Sequence, residues 1–243
     1  MSTRSIIRVK LGGAYRICQY VQSDGYPTWR GVEVLLFMRD LMEKGLETTF
    51  RNKVERSKSV LNKLKSGQKR VPRCDWLISS NITVGKGYPC ETMTGAPTNT
   101  VRDKLMDMAW NARLIDISED PYGNKRRSWY EAIEHLFAEG KINKREAAWL
   151  AVAGRDSGIG ALKWMMAHDT AMTFYMPEEL YALPPGGGPA GCDYIWGDYI
   201  IDLDERSVVC GYHGKTVSVS FNELLSIREK AIKDLMKNFE DSV

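Results

Sequence analysis

Patterns that hold metals or disulfides are scarce in this chain. Its five cysteines, Cys18, Cys74, Cys90, Cys192 and Cys210, are spread over 243 residues. Their number is odd and no CxxC pair occurs, so neither a disulfide framework nor a zinc ribbon is expected, and the thiols read as reduced and mostly buried. The three histidines, His135, His168 and His213, show no HxxxH or HxH spacing, which leaves no local set of metal ligands. No metal and no cofactor is expected. Long apolar runs are missing too. Stretches such as VEVLLFM from Val32 fall well below the roughly 20 residues of a membrane-spanning helix, and the Met-Ser-Thr-Arg start has no apolar run of a secretory leader. A cytoplasmic protein without a membrane segment is the expectation. Catalytic signatures are absent as well: there is no GxSxG elbow and no Ser-His-Asp order. Ser2, exposed by removal of Met1, is a conceivable N-terminal nucleophile, but the sequence offers it no oxyanion partner.

What is present suits a folded α+β protein. At 43% apolar and 27% charged residues the chain can bury a substantial core as one large domain, or as a domain with an inserted subdomain. Ile7, Val9 and Leu11 alternate with Arg8 and Lys10, the period of a half-buried strand, and Gly12-Gly13 turns the chain into a second strand over 15–22. Asp24-Gly25-Tyr26-Pro27 is a turn, since proline pushes Tyr26 out of helix. A helix then starts near Trp29, carries Val34, Phe37, Met38 and Leu41 on one stripe, and ends at Gly45. Residues 68–99 read as a long loop or lid with a short strand in CDWLISSNITV. Helix resumes near Thr100 and breaks at Pro121-Tyr122-Gly123-Asn124. Ser128 with Glu131 and Asn143 with Glu146 are capping boxes, and Gly140 stops the helix between them.

After the Pro/Gly-rich connector PPGGGPAG, the alternations of Tyr199, Ile201 and Leu203, of Val208 to Tyr212, and of Val217, Val219 and Phe221 predict a three-stranded antiparallel meander. A final helix is expected from Asn222, with Leu225, Ile232, Leu235 and Phe239 inward. Two strands at the front and three at the back are joined most economically into one antiparallel sheet covered by helices, with 47–150 as a mainly helical insertion.

Two segments raise ligand chemistry. From Arg51 to Arg73 there are nine lysines and arginines against one acid, Glu55. Arg51, Lys53, Lys58, Lys65, Lys69 and Arg70 are therefore candidates for a nucleic-acid groove; the alternative is a solvated helix face, because no aromatics interleave to stack on bases. In AGRDSGIGAL the glycines and Arg155 could cradle an anion at a helix start. No Gly-Lys-Ser/Thr follows, however, and Asp156 or Ser157 can simply cap the helix.

Four blocks, TRSIIRV, QYVQSDGYP, RDSGIGAL and CDYIWGDYIIDLDERSVV, together resemble a family of tailed-bacteriophage and prophage proteins. Its members similarly join a Thr-Arg-Ser strand, a DGYP turn, an Arg-Asp-x-Gly helix start and a Tyr-x-Ile-Asp-Leu-Asp strand. Where that family commonly has tryptophan before the DGYP aspartate, this chain has Ser23. The resemblance brings no activity with it. It implies a phage-encoded accessory protein working in the cytoplasm of an infected bacterium, an inhibitor or decoy whose partner is a host defence effector or nuclease. Its polar signature residues fall on Arg4, Asp24, Tyr26, Arg155 and Asp156. These either form an internal network or converge on a phosphate or carboxylate ligand, as a nucleotide-binding protein or phosphoester hydrolase would require. If the chain acts by binding, the contact surface is expected on the inserted helices and the loop from Gly85 to Thr100, with Tyr88, Met93 and Trp129 as candidate anchors; the alternative for the aromatics, favoured for Trp129 and even for Tyr88, is plain core packing.

Overall fold

The sheet begins and ends the architecture. The computed structural model describes residues 3–21, 24–65, 76–79, 99–113, 127–153, 159–168, 172–175 and 195–243. Strands β1 (Arg4–Leu11) and β2 (Ala14–Val21) form the expected hairpin, and β5 (Ile195–Asp202), β6 (Ser207–Tyr212) and β7 (Lys215–Ser220) the expected meander. Two further strands, β3 (Trp76–Ser79) and β4 (Met172–Tyr175), pair in parallel as a separate small sheet. The β3 strand lies within CDWLISSNITV; β4 carries no alternation clear enough to have been read from the sequence.

The five-stranded sheet runs β2-β1-β5-β6-β7. Three of its pairings are antiparallel, as expected of the hairpin and the meander. The join between the two, β1 with β5, is parallel. Parallel neighbours need a long crossover, and the helical middle of the chain supplies it. Registers Ile7↔Tyr199 and Val9↔Ile201 put these apolar residues of both strands on one face, with Ile17, Val208, Cys210 and Val219, all buried. The other face carries Ile6, Arg8, Asp198, Ile200 and Asp202, all buried, with half-buried Lys10 and, at the β7 edge, exposed Thr216 and Ser218.

Helices close the apolar face. A π-helical turn over Pro27–Gly31 leads into α1 (Val32–Glu43), whose buried Val34, Phe37, Met38 and Leu41 are the predicted stripe, with Val32 and Leu35 buried beside it. Gly45 ends the helix in a left-handed conformation (φ 67°), where its amide donates to the Met42 carbonyl and that of Leu46 to the Leu41 carbonyl. Helix α2 (Glu47–Lys65) turns Phe50 and Val54 inward, with Phe50 edge-on to Phe37. Helices α3 (Asn99–Arg113), α4 (Trp129–Ala138), α5 (Lys144–Ala153) and α6 (Gly160–Ala167) pack among themselves and onto α2. Both capping boxes form: the Ser128 amide donates to Glu131 at 2.7 Å and the Glu131 amide to Ser128 Oγ at 3.2 Å, and Asn143 with Glu146 repeats the exchange at 2.8 and 3.0 Å.

The C-terminal helix departs from expectation. Ser220, not Asn222, accepts the capping bond, from the Glu223 amide, and the chain forms a short α7 (Phe221–Ser226) before α8 (Glu229–Asp241). Phe221 and Leu224 fill the core, whereas Leu225 is 47% exposed. One continuous helix would have carried its apolar stripe around the wrong side; the extended Ile227 and Arg228 reset the phase, so that Ile232 and Met236 are buried. Among the described residues no helix is long and apolar enough to cross a membrane.

Candidate functional site

The DGYP turn, the start of β1 and the start of β5 meet at one end of the β1–β5 pair. Asp24 takes a left-handed conformation, φ 57°, which lays Gly25 flat against the start of β1. The Gly25 amide donates to the Thr3 carbonyl at 3.0 Å, and its own carbonyl accepts the Tyr199 hydroxyl at 2.8 Å. A methyl group on Gly25 would stand 2.8 Å from the Arg4 carbonyl carbon, and one on Gly197 only 2.4 Å from the Gly25 oxygen. Two glycines and a tyrosine hydroxyl thus lock the DGYP turn onto the sheet. Burial holds the Tyr199 phenol far above its ordinary range, so it stays a donor. Arg4, half-buried, and exposed Asp24 flank this lock, and the Tyr26 ring lies 6.3 Å from that of Tyr212. Tyr212 touches His213, which touches Trp196 in turn. Arg155 and Asp156 lie outside the described residues.

The Ile-Asp-Leu-Asp block organises the opposite end. Asp202 Oδ1 accepts the amides of Asp204 and Glu205, while its other oxygen pairs with Lys10 at 2.7 Å. Asp204 reaches across to the N-terminal hairpin and accepts the amides of Gly12 and Gly13, each at 2.9 Å. Those glycines have φ of 63° and 70°, and their successive amides form a small anion-binding concavity that the chain fills with its own carboxylate. The Gly13 and Gly12 amides hold the Asp204 carboxyl below its ordinary value. Between the two ends, Arg8 and Asp198 form an ion pair at 3.0 Å, each side chain 1% exposed. Burial outweighs the Arg8 charge there and pushes Asp198 up to about 6.

The basic helix is partly spoken for. Lys53, a nucleic-acid candidate by sequence, is buried, and its ammonium donates to the carbonyls of Met165 and His168 at 2.7 and 2.9 Å. It satisfies the end of α6 and is not presented to solvent. Arg51 donates to the Leu203 carbonyl at 2.7 Å and lies 3.6 Å from Asp204. Lys58 and Lys65 fall on α2 at positions whose side chains are not described; Lys69 and Arg70 lie outside the described residues, as do Tyr88 and Met93.

Trp129 takes the core position weighed against its role as a surface anchor. It is 3% exposed, and its indole N–H donates to the Leu150 carbonyl at 2.8 Å. Its edge carries Trp110 of α3, which the sequence reading passed over. Trp110 is 45% exposed, packs T-shaped on Trp129 at 5.9 Å, and has the Arg113 guanidinium 4.8 Å over its ring. Arg113 is in turn held by its Nε–H donating to the Arg127 carbonyl at 3.3 Å. The missed signal was the spacing of Trp110 and Arg113, three apart on one helix face. A second polar group ties α4 to α6: His168 Nε2 meets Glu134 at 2.9 Å, while its ring stacks on Trp164 at 3.7 Å. Tyr130 also bonds Glu134, and burial with that bond raises its phenol. Among the described residues no three His, Cys, Asp or Glu side chains gather as metal ligands. No family model, curated protein or solved structure matches the chain.

Proposed function

We propose that this chain is a phage-encoded accessory protein that acts by binding a bacterial host protein, a defence effector or nuclease, and that the inserted helices carry its contact surface. The origin rests on the resemblance of the sequence blocks. What supports the binding mode is Trp110, almost half exposed yet held on two sides by the buried Trp129 and the Arg113 guanidinium. A large aromatic kept in one rotamer loses little side-chain freedom on contact, and tryptophan and arginine are both enriched among the residues that dominate interfaces. The signature residues of the resemblance serve this reading as scaffold. Gly25, Tyr199, Asp202 and Asp204 are committed to the sheet and its turns, which leaves the helical module to vary with its target.

Capture from a bacterial lysate tests the proposal, with the full chain and Trp110→Ala compared side by side. The expected result is one stoichiometric host protein whose recovery falls about 30-fold or more with Trp110→Ala, the ~2 kcal/mol of a hot spot, while circular dichroism and melting temperature stay unchanged. Equal recovery by the two proteins would remove Trp110 from the interface. If only nucleic acid were recovered, with a steep dependence on salt, the protein-binding reading would fall.

A further inference from the structure

Beside Trp110 two arginines are clasped crosswise. Helix α3 ends at Arg113 and Arg127 immediately precedes the cap of α4; the two stretches run against each other, the Arg127 amide donating to the Arg113 carbonyl at 2.9 Å. The side chains then cross. Arg113 Nε–H reaches the Arg127 carbonyl at 3.3 Å, and Arg127 Nη1–H reaches the Ala112 carbonyl at 3.0 Å. A guanidinium has five N–H donors. Arg127 commits one side-chain N–H in this way, is half-buried, and makes no ion pair with a described carboxylate. The crossed bonds hold both forks next to an indole that is 45% exposed and lies under the Arg113 guanidinium. The nearest acids are occupied or offset. Glu131 spends Oε2 on the Ser128 amide, and exposed Asp107, one turn before Trp110 on α3, has exposed Lys104 one turn further back.

We propose that this patch receives a carboxylate side chain of the partner protein, flanked there by an apolar residue that covers the Trp110 ring. The inference rests on Trp110 belonging to the contact surface and adds the chemistry of what meets it. Charge complementarity selects the occupant. A carboxylate matches a guanidinium fork through two parallel hydrogen bonds, and a half-buried arginine already fixed by a backbone carbonyl loses little freedom in making them. The exposed indole beside the fork provides the apolar area. Nucleic acid is the poorer occupant. A single strand needs successive aromatic platforms along a basic groove, whereas the described residues of this patch supply a single exposed indole that already has a guanidinium over its ring. The described start of the basic helix does not extend the patch, since Lys53 and Arg51 are committed to the carbonyls of Met165, His168 and Leu203.

Heteronuclear NMR of the full chain reads the contact at the Trp110 indole N–H and the Arg127 Nε–H, the two signals being assigned with Trp110→Phe and Arg127→Lys. The probe is the acetylated peptide Glu-Leu-Glu-Leu, with Lys-Leu-Lys-Leu and a short oligothymidylate beside it. The acidic peptide is expected to shift both signals with half-saturation at about 1–10 mM, the range of one fork–carboxylate pair with an apolar contact. The lysine peptide should leave them in place, and Arg127→Lys, which keeps the charge and loses the fork, should weaken the acidic peptide about 3-fold or more. No shift with the acidic peptide, an equal shift with the lysine peptide, or a tighter and salt-dependent shift with the oligonucleotide overturns the proposal. A silent acidic peptide together with loss of host-protein capture by Trp110→Ala removes the carboxylate and keeps the contact surface. Equal capture by wild type and Trp110→Ala removes both.

Discussion

Placing one methyl group on Gly197 should break the lock between the DGYP turn and the sheet. Gly197 is not in a left-handed conformation, so its backbone would accept alanine; the requirement is space alone. The added carbon would sit 2.4 Å from the Gly25 oxygen and 3.0 Å from the Tyr199 ring. The turn must therefore withdraw by about 1 Å to reach ordinary contact, and the 2.8 Å bond from the Tyr199 hydroxyl cannot survive that movement. Overpacking of this kind costs ~1–3 kcal/mol, and a buried hydroxyl left without its acceptor a further ~1–3 kcal/mol. A loss of about 4 kcal/mol is expected, or about 8–16 °C in melting temperature for a chain of this size. Tyr199→Phe deletes the same bond without the clash and should cost about 1–2 kcal/mol. Because both changes remove one bond, the double variant should lose about 1–2 kcal/mol less than the sum of the singles. Urea unfolding of the four proteins measures this directly. A Gly197→Ala chain within 1 kcal/mol of wild type, or strictly additive losses, would refute the account of the lock.

Other consequences are open to the same kind of measurement. Asp198, at about 6 against an ordinary 3.8, is penalised as an anion in the fold. This penalty acts above pH 6 and is relieved as pH falls toward 4, so wild type should gain up to about 3 kcal/mol over Asp198→Asn between pH 7 and pH 4; a constant difference would contradict the buried pair. Asp204 has the opposite sign: the Gly13 and Gly12 amides lower its carboxyl, so its support is present above the ordinary carboxylate range and fades in acid. Asp204→Ala should accordingly speed amide exchange at Gly12 and Gly13 at neutral pH, and unchanged protection there would count against the contact. Lys53→Met keeps the stem and strips the ammonium from the Met165 and His168 carbonyls, at a cost of about 1–3 kcal/mol; a variant as stable as wild type would show that other groups satisfy the end of α6.

Much of the scaffold could be read locally, and what could not was non-local. The two capping boxes and the Gly45 stop depend on neighbours within a few positions, and each stands in the structure as expected; the alternation of Ile7, Val9 and Leu11 places β1 correctly, but Ile6 and Arg8 are buried too, so the strand is covered on both faces and not half-buried. The parallel contact of β1 with β5 depends on residues some 190 positions apart, about which periodicity says nothing. The DGYP lock escaped notice for a related reason. Reading polar side chains drew attention to Arg4, Asp24 and Tyr26, whereas the contacts are made by backbone atoms, two absent Cβ atoms and a hydroxyl from the far end of the chain. Lys53 was legible in hindsight. It lies three residues after Phe50 and one before Val54, hence on the border of the buried stripe, and counting it among surface charges treated the basic run as a class and not as positions on a helix.

The neighbourhood of β1 and β5 also sets the order in which the molecule can be completed as it leaves the ribosome. The N-terminal hairpin emerges before the rest of the sheet, and the strand that covers its inner edge follows roughly 190 residues later, about 10–40 s at ordinary rates of synthesis. Throughout that interval Ile7 and Val9 lack the sheet partners that later bury them. A nascent chain stalled before Asp202 should be bound by chaperones or degraded, and one stalled after Ser220 should resist protease.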